Sequence, residues 1–107
     1  MRRVAADLSE QAETLVPRAS AVVRKVAFDT EADAKVLAPV DTGMLRNSIT
    51  TAVTGDGLTA AVVATASYAP FVELGTSRQA PQPFMGPATD RNTPKFHEAM
   101  SQLGGDG

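Results

Sequence analysis

Asp41-Thr42-Gly43 is the string in this chain with the sharpest chemical meaning. A carboxylate on such a turn can share one proton with a second carboxylate, and the pair can then activate water. One Asp per chain suffices if two chains meet across a two-fold axis. Other chemistry is thinly represented. His97 is the sole histidine, and the neighbouring Glu98 falls on a different helix face, so the two lack metal-ligand spacing. Ser67 and Tyr68 sit in no nucleophile motif. Gly55-Asp56-Gly57 lacks the Gly-Lys-Ser/Thr ending of a phosphate loop. With no cysteine and with acidic residues spread along the chain, neither thiol chemistry nor a metal cluster is indicated, and no cofactor is implied.

Asp-Thr-Gly is also the signature of retroviral-type aspartic proteases, whose chains are about this long. Its context here differs from theirs. Such an enzyme needs an apolar strand leading into the triplet and a small residue after it. Pro39 precedes it here, and Met44-Leu45-Arg46 follows. The later apolar-apolar-Gly segment is interrupted by Glu73 in Val72-Glu73-Leu74-Gly75. A homodimeric protease using Asp41 therefore stands as the alternative reading, beside a small partner-binding domain. No catalytic set emerges.

The elements that must position these residues fit one domain. A chain of 107 residues with 43% hydrophobic content, no Trp and one Tyr builds a modest core from small side chains. A net charge of -2 does not suit a nucleic-acid binder, and the sequence has no basic block beyond Arg2-Arg3. No apolar run approaches the ~20 residues of a membrane span, and no signal-like segment follows the first Met. The expectation is a domain over residues 1–103, a fraying tail over 104–107, and synthesis in a cytosol.

Val4, Leu8, Ala12 and Leu15 follow helical spacing, and so do Val22, Val23, Val26, Thr30, Ala34 and Leu37. Pro17 either opens a second helix or kinks a single one. Pro39 stops the helix at about Ala38. Asp41 is placed to cap the next turn, and Leu45 and Ile49 would share one face of it. The period then changes to two. Ile49, Thr51 and Val53 alternate with polar or small residues, Gly55-Asp56-Gly57 turns the chain, and residues 58–66 return it as a hairpin.

Pro70 and Gly75 bracket a short helix. Pro81 and Pro83 mark a loop or extended arm, and Pro83-Phe84-Met85-Gly86 reads as a short last strand. A final helix follows from about Pro87. Pro94 is awkward within it, and Thr93 could cap a restart. The fold class is α+β. An N-terminal helix or kinked helix pair packs on a small, mainly antiparallel sheet of a hairpin plus a short strand, with short connecting helices and a C-terminal helix. Arg46 and Glu73, each in a short helix, are expected to form an ion pair clamping the two together.

Three strings carry a resemblance. They are Ala38-Pro39-Val40-Asp41-Thr42-Gly43-Met44-Leu45-Arg46-Asn47-Ser48-Ile49, Tyr68-Ala69-Pro70-Phe71-Val72-Glu73-Leu74-Gly75-Thr76, and Pro83-Phe84-Met85-Gly86-Pro87-Ala88. In this order they resemble the tail-component proteins of long-tailed phages, the family typified by the tenth gene product of the HK97-type phage. The matching positions are Pro39, Asp41, Thr42, Gly43, Leu45, Arg46, Ser48, Ile49, Tyr68, Glu73, Gly75, Thr76, Pro83 and Phe84. Pro94 departs from the continuous last helix of that pattern.

The resemblance implies a structural virion protein, made in the host bacterial cytoplasm, of the neck or tail-completion region. It would form a ring, most often six-fold, joining the head connector to the tail tube. Its partners would be itself and adjacent neck proteins, the head-closure stopper and the tail terminator or tube. DNA would pass through the channel without sequence-specific binding, and no membrane is involved. Ser77, Arg78, Gln79 and Gln82 are the candidate contacts to another ring. The light hairpin could extend a sheet across a subunit boundary.

Overall fold

The computed structural model describes residues 2–39 and 43–105, with side chains described for 15–39 and 43–103. The element order is α1 (Arg2–Leu37), α2 (Met44–Ser48), β1 (Ile49–Val53), β2 (Ala60–Ala64), α3 (Ala69–Leu74) and α4 (Met85–Gly105). The class is α+β, as the change of period from helical to alternating implies. The molecule measures 65 × 23 × 20 Å, and α1 sets its length.

α1 is one helix of 36 residues with Pro17 inside it, not a pair. Proline removes a single backbone donor, and the long helix carries on past that loss. Its C-terminal half is the platform for everything else. Ala34 and Ala38 are buried there with Leu45, Ile49, Ala69, Phe84 and Ala88 in a single core cluster. Leu45 and Ile49 are 3% and 1% exposed, so the four-residue spacing in the corner does turn both inward. Phe84 is the largest fully buried side chain, and the small side chains of Ala34 on α1 and Ala88 on α4 let those two helices approach closely.

β1 and β2 form a two-stranded antiparallel sheet with Ile49 opposite Ala64 and Val53 opposite Ala60. The inward face sits on α1, where Thr51 Oγ1 donates to Glu31 Oε1 at 2.9 Å. In the turn, Asp56 accepts the Thr54 hydroxyl and the Leu58 amide. These bonds hold its carboxyl below the ordinary carboxylate range, the Thr54 bond having the largest effect. Gly57 has φ 72° and lies against Ser20 of α1, where an added Cβ would collide with the serine side chain. A residue without a side chain lets the hairpin tip touch the helix.

The described residues contain no third strand. Residues 83–86, expected as one, are instead a bend at Phe84 and the first turn of α4. The cause is a carboxylate supplied from elsewhere in the chain, described below. α4 then runs antiparallel to α1 as one helix through Pro94. Thr93 does not cap a restart: its hydroxyl donates back to the Thr89 carbonyl at 2.7 Å within the helix. α4 is assigned through Gly105. Among the described residues no helix is long and apolar enough to cross a membrane.

Candidate functional site

The three motif strings converge at one end of the molecule, where α1 stops and α2, α3 and α4 begin or end. Asp41 and Thr42 lie outside the described residues, so the proposed cap from Asp41 does too. Gly43 holds the N-cap position of α2 at φ 76°, with no side-chain cap. Ser48 closes the corner: its hydroxyl donates to the Leu45 carbonyl at 2.8 Å, and its own carbonyl accepts the Thr65 amide at 3.1 Å. The corner is thereby tied to the far end of the hairpin.

Arg46 and Glu73 do not pair with each other. Arg46 Nε donates to the Lys35 carbonyl at 3.0 Å, in the last turn of α1. Glu73 Oε1 accepts the amides of Phe84 at 3.1 Å and Met85 at 2.9 Å, and Oε2 accepts that of Gly86 at 3.1 Å. A cation therefore meets the carbonyl end of one helix and an anion meets the amide end of another, each complementing the helix dipole. The expected clamp is replaced by two separate helix caps.

The donors at the start of α4 are fully accounted for. Glu73 takes three of them, Pro87 has no N–H, and the Ala88 amide bonds to the Phe84 carbonyl at 3.3 Å. Burial pushes the Glu73 carboxyl up, but the three amide bonds outweigh it and leave it below its ordinary value.

Around this cap, Tyr68 occupies the N-cap position of α3, and Gly75, at φ 79°, its C-cap. A Cβ on Gly75 would lie 2.8 Å from the Pro81 nitrogen, because the next loop doubles back over it. That loop is not an extended arm. The Thr76 hydroxyl accepts the amides of Arg78 and Gln79, the Thr76 amide reaches the Gln79 carbonyl at 2.9 Å, and the Gln82 amide reaches the Val72 carbonyl at 2.8 Å. Ser77, Arg78, Gln79, Gln82 and Pro83 all face solvent, whereas Phe84 is buried. An open groove of about 410 Å³ lies between Pro39 and Leu45 on one side and Tyr68, Val72 and Gln82 on the other.

Asn92 is a key side chain that the periodicity argument passed over. It is 1% exposed, and Nδ2 donates to Asp33 Oδ2 and to the Ala88 carbonyl, both at 2.8 Å. Its place in the Ala88, Asn92, Phe96 series, four apart and on the inner face, was the available signal. His97 is exposed and stacks obliquely beside Phe96. Among the described residues, no group of three or more His, Cys, Asp and Glu side chains is arranged to hold a metal.

Fold and site together define a small helix-and-hairpin domain in which the motif residues build corners and helix caps. The family model described as "Bacteriophage HK97-gp10, putative tail-component" matches residues 2–75, from the first residue of α1 to the C-cap of α3. The chain belongs to this family of phage tail components. No curated protein and no solved structure matches it.

Proposed function

We propose that the chain is a structural subunit of the virion, forming a ring in the neck or tail-completion region that joins the head connector to the tail tube. The family match over residues 2–75 carries this reading. The surface supports it. Phe71 and Leu74 on α3 are 61% and 76% exposed, and Val36 on α1 is 76% exposed, all near the motif-built end. Large apolar side chains left in water at one end of a small domain suit burial against neighbouring subunits. A head-to-tail contact repeated by a closing rotation would give a ring, and the family resemblance implies six subunits in it.

In this reading the tied loop of residues 75–82 presents Ser77, Arg78, Gln79 and Gln82 to an adjacent ring, the stopper on one side or the terminator or tube on the other. The channel passes DNA without reading its sequence, in keeping with a near-neutral chain. The work is assembly and not catalysis: the Asp-Thr-Gly triplet follows the long helix α1, where a protease would have an apolar strand. Native mass spectrometry and electron microscopy of the protein, alone and mixed with its neck neighbours, test the proposal. A discrete ring, and particles that stall as separate heads and tails when the chain is missing, are expected. A monomer under all these conditions, with complete infectious particles formed in its absence, would overturn it.

A further inference from the structure

The tip of the hairpin holds a peptide bond with a chemistry of its own. Asp56 is followed by Gly57, and an aspartate before a glycine is the pairing most prone to rearrange, because no side chain hinders the approach of the next amide nitrogen. In that reaction the Gly57 nitrogen bonds to Asp56 Cγ, the Cγ–OH bond breaks, and one water leaves with the amide and carboxyl protons. The cyclic imide then takes water back. Where water opens it at the backbone carbonyl, the chain continues through Cγ as isoaspartate, one methylene longer and unchanged in mass. Five other aspartates precede residues with side chains, and Asp106-Gly107 lies outside the described residues.

The folded turn engages both reacting groups. The Gly57 amide donates to the Thr54 carbonyl at 2.9 Å, so the attacking nitrogen is committed to the turn. Asp56 Oδ1 accepts the Thr54 hydroxyl and, at 3.0 Å, the Leu58 amide. Both bonds favour the ionised carboxylate, from which water cannot leave. Asp56 itself is exposed, but Gly57 is buried against Ser20 of α1, away from the solvent base that would take its amide proton.

We infer that Thr54 guards the Asp56–Gly57 bond, its carbonyl holding the nucleophile and its hydroxyl the electrophile, and that Asp56 is a site of isoaspartate formation when the hairpin tip lifts from α1. The extra methylene would lengthen a tip that has no room for even one added carbon at Gly57. A modified tip should therefore not return to its seat. The inference stands apart from ring formation, since one chain carries the whole turn.

The test incubates the full chain in neutral buffer for several weeks, folded and in guanidinium chloride, and counts isoaspartate at each bond by peptide mapping with electron-transfer fragmentation. The Asp56–Gly57 bond of the folded wild type is expected to isomerise about a hundredfold more slowly than that of the unfolded chain. Thr54→Val keeps the backbone bond and removes the hydroxyl. With an unchanged circular dichroism spectrum, it should isomerise about tenfold faster than the wild type. Thr54→Ser restores the hydroxyl and should return the rate to within about twofold of the wild type. Asp106–Gly107 is the reference bond, and its rate should be the same in all three proteins. A folded wild type that isomerises as fast as the unfolded chain, a Thr54→Ser rate equal to that of Thr54→Val, or equal acceleration at both bonds would each overturn the inference.

Discussion

Glu73 Oε1 lies 2.9 Å from the Met85 amide nitrogen, twelve residues along the chain, and this contact starts a helix where the local sequence suggests a strand. One carboxylate satisfies the three amides that open α4. Glu73→Ala leaves them without a protein acceptor and should cost about 1–2 kcal/mol, measured by urea unfolding.

The same carboxylate sets a pH dependence. Its folded pKa is lowered relative to the unfolded value near 4.5, so its contribution is fully present above that value. The contribution is lost as pH falls through the folded pKa. Melting temperature across pH 7 to 3 should therefore drop more in the wild type than in Glu73→Gln, whose amide does not titrate; parallel curves would contradict this.

Arg46 and Glu73 hold different helix ends, so their losses should add. Arg46→Met removes the donor to the Lys35 carbonyl and should cost about 1 kcal/mol. A double-mutant cycle with Glu73→Ala is expected to give a coupling within about 0.5 kcal/mol of zero.

Asn92 joins α4 to α1 through Asp33, which also lies 3.5 Å from Arg91 Nη1. Asn92→Asp turns this buried donor into a second carboxylate. It should destabilise the fold by about 3 kcal/mol or more at neutral pH, and by less as acid protonates the pair. Equal destabilisation at pH 4 and pH 7 would show that charge repulsion is not the cause.

Gly75→Ala meets two obstacles, a positive φ and a Cβ position 2.8 Å from the Pro81 nitrogen. A loss of about 1–3 kcal/mol is expected, together with faster amide exchange at Thr76 and Gln82, whose hydrogen bonds fold the loop back.

The end of α1, the corner and the hairpin were legible in the sequence because their signals are local. Pro39 forbids helix just before it, and Gly-Asp-Gly turns the chain between two alternating runs. Pro70 and Gly75 likewise bracket α3 within a few residues. The Asp41 cap falls on residues outside those described, so the corner's agreement rests on Leu45 and Ile49, which point inward as their spacing requires.

Tertiary structure decided whatever depends on groups distant along the chain. Phe84 and its neighbours, between two prolines, read locally as a short strand; Glu73 makes them a helix start by accepting their amides. Arg46 sits in the corner string, but its partner is a backbone carbonyl eleven residues earlier, which no pattern of side-chain types marks. Periodicity could tell which face of α4 is inner, but not that Asp33 would wait there for Asn92. Propensity and turn chemistry act over a few residues, so the sequence by itself set the kinds and order of most elements. Which helix end meets which charge is settled only once packing brings the elements together.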